Sequence, residues 1–200
     1  MMVMNAGPGL REQVHNEPWM LAGEHVEVKE RYEYLGTLST SKEASWGEHM
    51  DMVIGEAEKA SAELLRVLRR DRGMRPRTGI TLWKSLIRPK LEYACEIWNG
   101  QVSAARVARA EAVQLRFIRG MLGLHDKGSG VSNEVVRAEV GCESLQCRWD
   151  KLQLGYWRRI YHSPPNRLLR VVAAVPAAPL LCCPQMRRRF REKVLVVDEE

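Results

Sequence analysis

SWGEHMDMVIGEAEKASAELLRVLRRDRG, residues 45–73, decides the fold class. Met50, Val53, Ile54, Ala57, Ala60, Leu64 and Leu68 recur at three- and four-residue spacing, so a 3.6-residue period places them on one side of an α-helix. Ser45 and Glu48 have the S-x-x-E spacing of a capping box, in which each side chain satisfies a backbone N–H at the helix start, and Gly73 marks the end. The last turn and the loop after it hold Arg66, Arg69, Arg70, Arg72, Arg75 and Arg77. Two readings of this cluster stand side by side. The arginines can complement the negative end of the helix dipole, or, being more than a dipole requires, they can contact phosphates.

The same period returns downstream. A second helix can start at Thr78 and bury Ile80, Trp83, Leu86 and Ile87 before Pro89, which lacks a backbone donor, forces a kink or break. Leu91, Tyr93, Ala94, Ile97 and Trp98 continue an apolar surface beyond it. A third helix runs from about Ser103 to Leu122, with Val107, Val113, Phe117, Ile118 and Met121 inward, and stops at Gly123. The Gly-rich stretch to Gly130 is a loop, and Asn133 to Val140 reads as a short helix closed by Gly141. Ser144 caps a further helix whose Leu145, Trp149, Leu152, Tyr156 and Ile160 face the core until Pro164 and Pro165 end it.

Upstream the signals are those of strands. His25 to Lys29 alternates around Val26 and Val28, and Tyr32, Tyr34, Leu35 and Leu38 form a second run, so the pair predicts a small hairpin. Gly7 to Pro18 reads as a loop joining it to a short strand at Met1 to Asn5. After Pro165 the chain is rich in Ala, Val and Pro, then basic from Arg187 to Lys193 and acidic from Asp198 to Glu200, the composition of a weakly ordered tail. The expected fold is therefore mainly α: a small N-terminal β-hairpin in residues 1–44, a helical bundle in 45–165, and a basic tail in 166–200.

With 200 residues of which 45% are hydrophobic, the chain can bury a core, which argues against disorder throughout. Its formal net charge of +6 favours polyanionic partners such as RNA, DNA or an acidic membrane surface; a merely solvated basic surface is the alternative. Five cysteines, Cys95, Cys142, Cys147, Cys182 and Cys183, show neither framework spacing nor a preceding secretory segment. A reducing compartment, cytoplasmic or nuclear, is the expectation. The longest apolar tract, Val171 to Cys183, is interrupted by Pro176 and Pro179 and falls short of the about 20 residues that span a bilayer.

The order of these signals resembles the downstream part of reverse transcriptases from non-LTR (LINE-type) retrotransposons. Tyr32-Glu33-Tyr34-Leu35-Gly36, then Trp46 and His49, then Lys59-Ala60 follow that family's sequence of features. The stretch from Leu82 through Arg88-Pro89, Leu91, Tyr93 and Ala94 to Trp98 is similar to its helix with an internal Arg-Pro and Leu-x-Tyr, followed by a Trp. Gln114 to Gly123, with Arg116, Phe117, Ile118 and Leu122, is similar to its Gln-x-x-x-x-Arg-x-Ile-x-Gly segment with looser spacing, and Glu139-Val140-Gly141 with Leu145 and Arg148 resembles the element after it. The likeness runs from Tyr32 to Tyr161, and Met1 to Asn5 would then be the end of the preceding palm strand.

The resemblance implies that Tyr32, Tyr34, Leu35 and Gly36 form a primer-grip-like hairpin and that the helices form a thumb holding a template-primer duplex by its backbone. In that family the polymerase carboxylates lie upstream, in a Tyr-x-Asp-Asp hairpin plus a further Asp that hold two metal ions. Here Asp51, Asp71, Asp126, Asp150 and Asp198 are scattered, with no adjacent pair. The expectation is a truncated or degenerate copy of the C-terminal part, with no catalytic residue, no metal and no cofactor. Its partners would be an RNA or DNA template-primer duplex, gripped without regard to sequence, a separate palm domain, and no membrane.

Other chemistry is weak by comparison. Cys142 and Cys147, flanked by His125 and His162, lack the close Cys and His pairs of zinc modules and read as free thiols. Cys182-Cys183 has no nearby His and no CxxC form. Gly128-Ser129-Gly130 lacks the ending of a phosphate loop and reads as a connector. Among Trp83, Tyr93, Trp98, Trp149, Tyr156 and Trp157, most lie on apolar stripes and belong to the core, with Trp157 the candidate for base stacking. Trp46 and His49, at a helix start, fix the turn, and Arg187 to Arg191 reads either as a nuclear localisation patch or as an accident of the tail. Three functions remain open: a nucleic-acid-binding thumb module, a helical protein-protein interaction module, and a translated transposon remnant without activity.

Overall fold

The computed structural model describes residues 20–26, 29–40, 46–70, 75–124, 130–168 and 170–171. The described residues are mainly helical, after a small β region. The chain divides into two compact units, Met1–Met52 and Val53–Glu200.

The first unit holds two antiparallel ladders. Strand β1 (Met20–Leu21) pairs with β2 (Glu24–His25), and β3 (Arg31–Tyr34) pairs with β4 (Thr37–Thr40). This corrects the expected pairing of His25 to Lys29 with the run that follows. His25 lies opposite Met20, while the second run folds back on itself, with Tyr32 opposite Ser39 and Tyr34 opposite Thr37. The cause is local: Ala22-Gly23 and Leu35-Gly36 both take positive φ (51° and 87°; 49° and 76°), the two-residue turn whose twist suits a hairpin. The Met1 to Asn5 strand and the Gly7 to Pro18 loop lie outside the described residues.

Helix α1 spans Gly47–Arg70, and the Met50 amide bonds the Trp46 carbonyl at 3.0 Å. Ser45, and with it the capping box, lies outside the described residues, as does Gly73. Met50, Val53, Ile54, Ala57 and Leu68 are buried as the period requires; Ser61 joins them, while Ala60 and Leu64 are half-buried.

Helix α2 (Pro76–Leu86) starts earlier than Thr78 because Pro76, with φ already helical and no donor to satisfy, suits the first turn. The break falls at Ile87, ahead of Pro89, which sits in the first turn of α3 (Arg88–Glu92). A continuous helix would have set the Pro89 ring against the Ser85 carbonyl. Then follow α4 (Cys95–Trp98), α5 (Ala104–Met121), α6 (Asn133–Glu139) and α7 (Leu145–Tyr161). Gly123 and Gly141 close α5 and α6 in the left-handed region, φ 71° and 58°, with Leu124 N donating to Arg119 O and Cys142 N to Arg137 O at 2.9 Å. Ser132 and Ser144 cap the next helices by accepting from Val135 N and Cys147 N.

In the second unit α4 packs on α7, and α5 on α2, α6 and α7. Trp98 and Trp149 meet edge to face at 4.9 Å, Trp83 and Phe117 stack at 6.1 Å, and all four are buried. Close approach depends on Gly79, where a Cβ would clash with the Met121 side chain and lie 3.1 Å from Leu68 Cδ1. Leu86, expected inside, is exposed because α2 ends there; Tyr93 and Ile97 are exposed too. Their place is taken by polar groups. Buried Asn99 donates to Asp150 Oδ1 at 2.9 Å and Gln153 Oε1 at 3.0 Å, and Gln153 Nε2 donates to the carbonyls of Glu96 and Asn99.

Past Pro165 the chain makes one more turn, with Val171 N on Arg167 O at 3.1 Å and Arg170 donating to the Ser163 carbonyl. Residues 172–200, including the Arg187 to Lys193 run, lie outside the described residues. Among the described residues no helix is long and apolar enough to cross a membrane.

Candidate nucleic-acid interface

On a helix, residues three and four apart are neighbours, so Arg66, Arg69 and Arg70 share a face of α1. With Ala62 and Leu65 they line a shallow groove of about 430 Å³. Arg66 is held by Glu63 through Nε, 2.9 Å from Oε2, and through Nη2 to the other carboxylate oxygen. That bond raises the arginine and lowers the carboxyl from their ordinary values, both on an open surface. Arg70 acts electrostatically on Glu63 without a close ion pair, and Arg69 and Arg70 both lie in the last turn, where the helix dipole favours them.

Arg75 and Arg77 stand elsewhere electrostatically. Arg75 is the N-cap of α2 and Arg77 lies in its first turn, which contains no acidic residue. Cations at this end meet the positive pole of the dipole, so dipole compensation accounts for Arg69 and Arg70 and not for Arg75 and Arg77. Among the described residues neither pairs with a carboxylate. Arg77 lines a separate cavity of about 590 Å³ with Ile80, Thr81, Lys84 and Val140. Arg72 lies outside the described residues.

The hairpin puts Tyr32 and Tyr34 two residues apart on β3, hence on one face, and both are exposed. Leu35 and Gly36 form the turn, with Leu35 72% exposed. The base of the hairpin is tied to the start of α1: Arg31 Nε meets Glu48 at 3.0 Å, and His49 Nδ1 accepts from Leu38 N at 3.3 Å. Burial lowers His49 from its ordinary value of 6.5, with Glu33 acting the other way. Its Nε2 is buried without a partner among the described residues. Trp46 packs edge-on to His49 at 5.9 Å. Trp157 is half-buried beside Tyr156, over which the Arg159 guanidinium sits at 5.7 Å.

A second set of cations escaped the sequence reading as a site. Lys84, Arg88 and Arg148 converge with Gln114, Gly141 and Glu143 on a cavity of about 260 Å³. Arg77, Thr81, Lys84 and Arg88 recur at four, three and four residues, a polar stripe on the α2–α3 segment that could have signalled it. Burial pushes the Cys95 thiol up to about 12 and raises Cys142, which disfavours their reactive thiolate forms, while Cys147 is exposed. Among the described residues no three His, Cys, Asp or Glu side chains converge as a metal would require. Comparison with protein-family models, curated proteins and solved structures finds no match.

Proposed function

We propose that this chain is a non-catalytic, thumb-like part of a LINE-type reverse transcriptase that grips the backbone of a template-primer duplex. The observation that carries the reading is the placement of Arg75 and Arg77 at the positive end of α2, unpaired among the described residues and against the helix dipole. Such a placement costs about 0.3–1 kcal/mol per charge, and an incoming phosphate reverses its sign. Arg69 and Arg70 extend the cationic surface, and the exposed Tyr32 and Tyr34 offer π-faces of the kind on which bases stack. The order of motifs from Tyr32 to Tyr161 supports the family assignment.

Fluorescence anisotropy with RNA–DNA hybrids of unrelated sequence tests the grip. Affinities should agree between sequences and fall steeply with salt, since backbone contacts carry no base information. Binding that ignores salt, or salt-insensitive self-association in its place, would overturn the reading in favour of a protein-interaction module. With Mg or Mn present the purified chain should not extend a primer; template-dependent extension that survives repurification would refute the non-catalytic assignment.

A further inference from the structure

The cavity between α2–α3, α5 and the α6–α7 turn has a composition the backbone grip does not need. Lys84, Arg88 and Arg148 bring three cations to it, and Glu143 lines it as well. Glu92 accepts from Arg148 Nε at 3.0 Å and forms an ion pair with Arg88, whose Nε lies 3.2 Å away, while Arg148 Nη1 stands 3.9 Å from Glu143 Oε1. Lys84 Nζ spends one donor on the Gly141 carbonyl at 3.2 Å. Glu143 is held by Lys151 as well, so the carboxylates of Glu92 and Glu143 do not cancel the surrounding cations, and the cavity keeps a net positive setting for an anion.

One group in the wall asks for a proton. Gln114 is 2% exposed, its Nε2 donates to the Glu143 carbonyl at 3.2 Å, and its Oε1 is buried with no partner among the described residues. A buried acceptor left unsatisfied costs about 1–3 kcal/mol, which a ligand carrying an O–H would recover. We infer that this cavity binds a phosphoryl group that keeps one protonated oxygen, as inorganic phosphate or the terminal monoester of a nucleotide. The cations hold the charged oxygens, and Gln114 Oε1 accepts the P–O–H. Sulfate and an internal phosphodiester have the charge without the proton and fit poorly. The site therefore stands apart from the duplex grip and does not depend on it.

Isothermal titration of the full chain with inorganic phosphate, sulfate and a nucleoside 5′-monophosphate tests this. Phosphate should bind about tenfold tighter than sulfate at neutral pH, one hydrogen bond's worth of discrimination, and the nucleoside 5′-monophosphate should bind tighter at mildly acidic pH, where its monoester gains a P–O–H. The tighter of inorganic phosphate and the monophosphate identifies the source of the group. Lys84→Gln, a change at a half-buried side chain, should weaken both phosphate ligands about tenfold, and Gln114→Leu, if folded by circular dichroism, should remove the preference over sulfate. Equal binding of sulfate and phosphate by the unaltered chain, no heat with phosphate, or phosphate binding untouched by Lys84→Gln would overturn the proposal. Duplex affinity is measured in parallel: its loss alone would refute the grip and leave this site standing.

Discussion

Two groups of cations in the second unit differ in what surrounds them. On α1 and at the start of α2, Arg69, Arg70, Arg75 and Arg77 are exposed, and no close ion pair holds them among the described residues. Around the small cavity, Arg88 and Arg148 share Glu92, whose side chain is 13% exposed, and Lys84 is anchored on Gly141 O. The first group is screened by water and salt and suits a long, uniform polyanion. The second is held in place by its own carboxylates and suits a small ligand of defined protonation. Cations of the same kind thus give two chemistries, separated by burial and by the groups that fix each side chain.

The largest effect on stability should come from the second group. Glu92→Ala strips two half-buried guanidiniums of their shared counter-charge and should cost about 2 kcal/mol, between an exposed pair and a fully buried one. Urea unfolding measures it, and a loss below about 0.5 kcal/mol would erase the distinction between the groups. A smaller, pH-dependent effect belongs to the hairpin. His49 is held below 6.5 by burial, and its Nδ1 can accept from Leu38 N only when unprotonated. The unfolded chain therefore takes up this proton first, so the stability contributed is present above 6.5 and lost as pH falls from there to the lowered folded value. Hydrogen exchange at the Leu38 amide should speed up over that window, and a rate free of any acid-side opening would contradict the assignment. The smallest effect is at α1, where Arg69→Ala with Arg70→Ala should change stability by no more than about 0.5 kcal/mol.

Local signals were legible and packing was not. Ser144, Gly123 and Gly141 act within a few residues of themselves, and the helices they bound fall where period and caps put them. The hairpin was read one strand too early because Leu35-Gly36, a turn, was counted within an apolar run. Placing the start of α2 at Thr78 instead of Pro76 hid the fact that Arg75 and Arg77 oppose a helix dipole rather than complement one. The cavity could not be read at all, since Lys84, Arg88, Gln114 and Arg148 come from four helices whose approach depends on contacts such as that at Gly79. Buried Gln114 and Gln153 occupy apolar-looking stripes and acquire their partners only in three dimensions.

The grip itself is tested most directly by the salt dependence of binding to an RNA–DNA hybrid. Each phosphate neutralised contributes roughly 0.9 to the slope of log affinity against log salt. Changing Arg69, Arg70 and Arg75 together to Ala should flatten that slope by about two to three and weaken all sequences alike, while Gln114→Leu should leave it unchanged. Circular dichroism controls for folding, since Ala supports the helix. An unchanged slope in the folded triple variant would contradict the account and leave these arginines as a solvated surface.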